Sequence, residues 1–205
     1  MHSRLVPRLI PVLLVLFLAL TALPIHSQVG PQATKGGVPL VVGVGGANFS
    51  LDWGPGRRMD GITAWADYYP WGMPPKVHGL GVEVEGRDLN FNRPSGLSKM
   101  RQDTFLAGPI YQMPYFKNIK PFGKFALGIG SIDFPPNKLF PYYTHDTYFL
   151  TAVSGGLDVR IYHHLFARGD YEYQWWHHTW GPHDLNPNGA SFGVLYDFRP
   201  LPQDK

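Results

Sequence analysis

The sequence predicts an all-β fold: an eight-stranded antiparallel transmembrane β-barrel preceded by a cleaved signal peptide. Three observations support this prediction. The N-terminus carries an apolar stretch behind two arginines, the remaining chain alternates between apolar and polar residues with period two, and aromatic residues gather near the ends of the alternating segments. The composition agrees, because 24 Gly and 20 Pro among 205 residues disfavour a helical bundle. The absence of cysteine excludes disulfides and thiolate metal sites.

Residues 1–27 have the layout of a secretory signal peptide. Arg4 and Arg8 precede an apolar stretch from Val12 to Leu23, and Pro24 and Ser27 follow it. The stretch is shorter than the ~20 residues that a membrane-spanning helix needs, so we expect cleavage rather than anchoring. Loss of two arginines and no acid lowers the formal charge of +3 by two, which removes the case for nucleic acid as a partner. The predicted organisation is a signal peptide (1–27), a lead-in (28–37), a barrel (38–198) and a short C-terminal tail (199–205).

Eight segments of the remaining chain are candidate strands. The clearest alternation is in 79–89, where Leu80, Val82 and Val84 share one face and Glu83, Glu85 and Arg87 share the other. The same pattern predicts strands over 121–132, 149–162, 165–176 and 189–198, and less regular strands over 38–49, 61–69 and 103–113. Pro109 cannot donate to a β-ladder, so we expect a bulge near Gly108–Pro109. The segments 90–102, 133–147 and 177–188 are predicted to be long loops.

Two architectures fit eight alternating strands. A soluble, lipocalin-like periplasmic barrel would turn its apolar face inward to bind an apolar ligand, whereas a membrane barrel turns it toward lipid. A narrow eight-stranded interior is filled by side chains, and charges there must pair with one another. The charged face is nearly balanced, as such pairing requires. We therefore predict an interior ion-pair network of Glu83, Glu85, Arg87, Lys124, Asp158, Arg160, Arg168, Asp170 and Glu172.

Aromatic residues favour the membrane barrel. Tyrosine and tryptophan concentrate near the predicted strand ends, where a bilayer interface would place them. The predicted interface aromatics are Tyr68, Tyr69, Trp71, Tyr111, Tyr171, Tyr173, Trp175, Tyr196 and Phe198.

With these segments in view, the chain resembles the OmpA-like family of small bacterial outer-membrane β-barrels. The resemblance lies in LGVEVEGRDL (80–89), TFLAGPIY (104–111), KPFGKFALGIG (120–130), GGLDVRIYHHLFARGDYEYQ (155–174) and SFGVLYDF (191–198). It implies an outer-membrane location, contact with outer-membrane lipid, and recognition of the C-terminal strand by the barrel-assembly machinery. One departure is that the chain continues past Phe198 to Lys205, so the terminal aromatic residue is internal.

Catalysis, metal binding and conduction are the other functions considered. Ser154 and Ser191 are the candidate nucleophiles of a lipid-modifying enzyme, but no histidine shares their predicted faces. The segment 177–184 could offer His177, His178, His183 and Asp184 to a metal, although adjacent histidines of a strand point apart. Eight strands leave no wide channel, so a small pore is less expected than a filled barrel. We expect a monomer without catalytic residues, cofactor or metal, with a role in envelope integrity or surface recognition through its long loops.

Overall fold

The computed structural model describes residues 38–50, 52, 58–70, 79–91, 100–113, 118–133, 145–180 and 183–199. Its strands are β1 (Leu40–Ser50), β2 (Arg58–Tyr68), β3 (Leu80–Phe91), β4 (Arg101–Gln112), β5 (Ile119–Asp133), β6 (His145–Tyr162), β7 (Leu165–Trp180), β8 (His183–Leu185) and β9 (Asn188–Asp197). No helix in the described residues is long and apolar enough to cross a membrane. The predicted signal peptide and lead-in lie outside the described residues, as does the tail after Arg199.

The nine described strands close into an antiparallel barrel with eight strand positions, because β8 and β9 share one position. Consecutive strands from β1 to β7 pair with one another, and β9 pairs with both β7 and β1 to close the cylinder. The short β8 continues the line of β9, because Leu185 lies opposite Trp176 in the register that β9 keeps with β7. Pro187 has no N–H and separates β8 from β9. Its carbonyl accepts a 2.9 Å hydrogen bond from the backbone of Gln174. The predicted eight-stranded antiparallel barrel is confirmed.

Two local expectations are wrong. The bulge expected near Gly108–Pro109 is absent: β4 keeps one register with β3 throughout, and with β5 it resumes the same register after skipping these two residues. A proline removes only its own N–H, so the ladder loses a bond without needing an extra residue. Register shifts lie instead between Arg160 and Tyr162, beside the turn at 163–164, and between Trp176 and Trp180 where β7 pairs with β8. Much of the expected loop 177–188 is also strand, because β7 continues to Trp180 and pairs with β8.

The outer face of the barrel is apolar. We call the end that holds Leu40 and Asp197 the termini end and the opposite end the loop end. Val44 is 56% exposed, Ile62 66% and Phe192 69%. Further exposed apolar side chains form a continuous belt with them: Val42, Val82, Val84, Phe105, Phe125, Leu127, Ile129, Phe149, Val153, Leu157, Val159, Ile161 and Val194. This arrangement is that of a membrane barrel and the inverse of a lipocalin, so the soluble alternative is wrong.

The belt ends on a polar rim toward the loop end. On β3 the outward residues change from Val82 and Val84 to Asp88 and Asn90. Asn90 donates to Asp88 at 3.0 Å, and Asp88 accepts a 2.9 Å bond from the exposed Arg101 of β4. Farther around, His145 Nδ1 lies 2.5 Å from Asp133 Oδ1. The strands therefore extend past the apolar belt at the loop end.

Two apolar clusters lie inside the barrel. The cluster toward the loop end includes Phe49, Met59, Leu89, Met100, Leu106, Ile132, Leu150, Trp176 and Leu185. The cluster toward the termini end consists of Val41, Trp65, Tyr69, Ile110, Phe122, Phe166 and Leu195. Buried charged residues lie with them on the same inner faces.

Glycine at position 130 makes room for the ring of Trp176. A Cβ at Gly130 would lie 2.2 Å from Trp176 Cη2, and Trp176 is fully buried, so the ring has no free space to enter. We expect Gly130→Ala to lower the unfolding free energy by about 1–3 kcal/mol, measured by denaturant titration in lipid vesicles. Gly86→Ala is the matched control, since its Cβ would meet nothing within 4 Å. Equal losses in the two variants would contradict this explanation.

Candidate functional site

The candidate site is the charged interior, and β-strand alternation places its residues there. Side chains of one parity face inward on each strand, which buries Glu83, Glu85 and Arg87 on β3 and Arg168, Asp170 and Glu172 on β7. Asp158 of β6 is also buried, and the Lys124 side chain is 5% exposed. Arg160, the last predicted member, is only partly buried.

Lys124 lies at the centre of a group of carboxylates. Its Nζ donates to Glu83 Oε1 and to Glu85 Oε2, each at 2.6 Å. Asp170 Oδ2 and Glu172 Oε2 lie 3.5 Å and 3.7 Å from the same nitrogen. One ammonium group therefore faces four buried carboxylates from two strands, and its charge offsets part of their repulsion.

Arg87 lies beside this group toward the loop end. Its Nη1 donates to Glu172 Oε1 at 2.9 Å, and its Nη2 donates to Glu85. The guanidinium also lies 4.1 Å from the centroid of the Phe49 ring, within cation–π range. Glu85 accepts a further 2.8 Å bond from Thr63. Arg87 therefore links the carboxylates of β3 and β7 beneath the apolar cluster at the loop end.

Arg168 forms the second centre of the network, nearer the termini end. It binds Asp158 through two nitrogens at 2.7 Å and 3.0 Å. It also donates to Glu83 and to Asp67, each at 2.8 Å. The Phe122 ring centroid is 4.4 Å from its Cζ. Glu83 thus joins the two centres, because it accepts from both Lys124 and Arg168.

Sequence reasoning missed several members of the interior. Asp67 is fully buried on β2, and its alternation with Thr63 and Trp65 could have placed it on the inner face. Asp197 is buried at the end of β9, where strand alternation places it on the inner face. It accepts from Lys120 at 3.2 Å and from Arg199 at 2.8 Å.

Arg199 has no signal in the alternation, since it follows the last strand. Its Nη2 donates to Gln112 Oε1 at 2.8 Å, and its Cζ lies 4.1 Å from the Tyr69 ring centroid. The residue after Phe198 therefore folds back onto the mouth of the barrel.

The aromatic residues divide between the outer face and the interior. Tyr68, Tyr111, Tyr171, Tyr196 and Phe198 are exposed on the outer face, and Tyr173 and Trp175 are partly exposed. Tyr69 is not an outward aromatic: it is 5% exposed and packs in the inner apolar cluster at the termini end, because it follows Tyr68 and alternates inward. Trp71 lies outside the described residues.

Neither candidate serine lies beside a described histidine. Ser154 donates to Asp170 at 3.3 Å, and Ser191 Oγ has no hydrogen-bond partner among the described residues. Of the histidine side chains that the structure describes, none bonds to either serine. Elsewhere His177 Nε2 lies 3.4 Å from Thr151 Oγ1 on the outer face. The side chains of His178, His183 and Asp184 lie outside the described set, and no group of metal ligands occurs within it.

An apolar exterior around a filled, charged interior defines an outer-membrane-type β-barrel. Residues 15–198 match the family described as "Outer membrane protein beta-barrel domain". The chain belongs to this family and is an outer-membrane protein, which confirms the resemblance drawn from the sequence. No curated protein sequence matches the chain.

Solved structures are similar to this chain, and one of them, with a TM-score above 0.5, shares its fold. Neisserial surface protein A matches with a TM-score of 0.59 and 15% identity, over 80% of this chain and 99% of that one. Ail of Yersinia pestis matches with a TM-score of 0.48 and 14% identity, over 77% of this chain and 95% of its own. The N-terminal β-barrel domain of Pseudomonas aeruginosa OprF matches with a TM-score of 0.48 and 12% identity, over 78% and 98%.

Proposed function

We propose that this protein is a monomeric, non-enzymatic outer-membrane barrel that acts in envelope integrity or in surface recognition through its loop-end connections. The observation that carries the proposal is the filled interior. Buried apolar side chains occupy the loop end, and ion pairs around Lys124 and Arg168 follow beneath them. A filled barrel favours a structural or binding role over conduction.

The proposed orientation puts the loop end outside the cell. The tightest connection, 163–164, is at the termini end, and short turns of such barrels face the periplasm. The rim at the loop end carries exposed polar groups such as Asp88, Arg101 and His145. Partners of this rim and its loops would meet a polar surface above the lipid. Export by the N-terminal signal peptide and assembly through the C-terminal strand belong to the same proposal.

A loop replacement separates the two roles. We expect a strain lacking the protein to gain sensitivity to detergent and bile salts. The test variant, expressed in the strain lacking the protein, has 135–143 replaced by a Gly-Ser linker of equal length. If the barrel itself maintains envelope integrity, this variant should restore resistance to detergent and bile salts. If the loops carry surface recognition, it should fail to restore binding at the cell surface. Heat-modifiable gel migration checks that the variant is folded. Normal envelope resistance and unchanged cell-surface binding in the strain lacking the protein would contradict the proposal.

Activity assays on the purified protein, with Ser154 and Ser191 as the candidate nucleophiles, test whether it is an enzyme. Purified protein should show no phospholipase or lipid A deacylase turnover above background. Turnover that is lost in Ser154→Ala or Ser191→Ala, with folding retained, would overturn the non-enzymatic proposal.

A further inference from the structure

The inward-facing residues at the termini end are rich in cations. Lys120, Arg160 and Arg199 lie at this mouth, and Asp197 is the carboxylate that lies with them. Asp158, which lies opposite Lys120 in the β5–β6 register, is already held by Arg168 and by Gln112, whose Nε2 donates to it at 2.7 Å.

The accessible groups at this mouth are the cations. The side chains of Lys120 and Arg199 are 16% and 19% exposed, whereas the carboxylate of Asp197 is 2% exposed. A solute that enters from the termini end therefore meets ammonium and guanidinium groups before it meets any carboxylate of the described residues. Positive charge in a low-dielectric recess attracts anions more strongly than the same charge on an open surface.

Arg160 has donors that nothing in the described part of the chain satisfies. Its Nε is buried and lacks a hydrogen-bond acceptor, and no ion pair joins its guanidinium to a described carboxylate. It lies near the Phe166 ring, with Cζ 5.5 Å from the centroid, and Lys120 Nζ lies 4.4 Å from the same centroid. Lys120 already pairs with Asp197, so the unpaired donor of Arg160 is the one that an acceptor with negative charge would satisfy best.

We propose that Lys120, Arg160 and Arg199 form a binding site for a phosphate-type oxyanion at the termini-end mouth of the barrel. The oxyanion would accept from the Arg160 guanidinium and from Lys120, and Arg199 would add a third positive charge at the same mouth. A planar guanidinium offers paired N–H donors that suit phosphate oxygens. The site is separate from the loop-end surface of the proposed function and does not depend on it.

The test follows the arginine Nε–H signals by NMR in ¹⁵N-labelled full chain purified from membranes into zwitterionic detergent. Inorganic phosphate is titrated at fixed ionic strength, with sodium chloride as the reference salt. We expect a saturable shift of the Arg160 signal with phosphate and none with chloride. Short-chain phosphatidylglycerol is the second probe: saturation by the lipid alone would identify a headgroup as the source, and saturation by free phosphate would identify a soluble anion.

Phosphate binding by single variants tests which residues form the site. Arg160→Gln should weaken phosphate binding about tenfold, read from the remaining Arg199 signal, as expected when one charge-assisted contact is lost. Lys120→Gln gives a second reading if Arg160→Gln does not fold. Arg101→Gln, exposed on the loop-end rim, is the matched control and should leave binding unchanged. A linear shift that chloride reproduces, or equal binding by the Arg160 and Arg101 variants, would overturn the proposal.

Discussion

Val84→Arg should reduce the unfolding free energy of the barrel by about 2–4 kcal/mol, because it places a charge near the middle of the lipid-facing belt. Val84 points outward from β3, is 39% exposed, and lies between Ala66 and Ala107 of the neighbouring strands. An arginine there has no described carboxylate beside it and must lose hydration or thin the bilayer. Denaturant titration in phosphatidylcholine vesicles, followed by tryptophan fluorescence, measures the loss.

Asn90→Arg is the matched control for this prediction. Asn90 lies on the same strand and the same face, but at the polar rim beside Asp88. The cost of arginine near the interface falls to about 0–1 kcal/mol. A soluble barrel of this geometry would tolerate arginine equally at both positions. Equal unfolding free energies for the two variants would therefore contradict the membrane assignment of the apolar face.

Lys124→Met should cost about 3–5 kcal/mol, the range for removing one partner from a buried ion pair. The four carboxylates around Lys124 Nζ would lose a shared cation, and Asp170 would retain its 3.3 Å bond from Ser154. Lys120→Met is the control, because Lys120 is partly exposed and its partner Asp197 also binds Arg199. Its loss should be smaller than that of Lys124→Met, because only one paired carboxylate loses a cation and Arg199 still pairs with it.

A double-mutant cycle tests whether repulsion among the buried carboxylates causes the stability loss of Lys124→Met. Asp170→Asn removes one of the carboxylates that Lys124→Met leaves uncompensated. We expect the double variant to be more stable than the sum of the single losses predicts, by about 0.5–3 kcal/mol, as for residues that interact directly. Additive losses, or a Lys124→Met barrel as stable as wild type, would contradict the role given to Lys124.

Alternation was sufficient to predict the closed eight-stranded fold and the inward side of most charged residues. On β3 and β7 the pattern of period two separates the faces without ambiguity, so Glu83 and Arg168 could be placed inside from the sequence. The pattern does not show where along the barrel axis each side chain lies. That position determines which ion pairs form: Arg168 pairs with Asp67, whereas Arg160 pairs with no described carboxylate. Strand ends are also ambiguous, which is why Tyr69 was expected outside.

The predicted loop 177–188 was wrong for a different reason. The segment 177–188 is rich in histidine, proline and asparagine, so composition favours a loop. The backbone of β7 nevertheless continues to Trp180, because β8 pairs with it at both Trp176 and Trp180. Pairing with a neighbour outweighed local propensity there, as it often does in sheets.

The interior ion pairs also constrain the order of assembly. Arg87 and Glu172 are 85 residues apart in the chain, as are Arg168 and Glu83, and Arg168 and Asp67 are 101 residues apart. None of these pairs can form within one hairpin, so they form only when β7 approaches β2 and β3 across the closing cylinder. Late contacts of such sequence separation slow folding. A half-closed sheet would expose these charges to water, where ion pairs stabilise little. The charged interior therefore favours a single strand register, because a shift by one residue would turn these side chains to the other face.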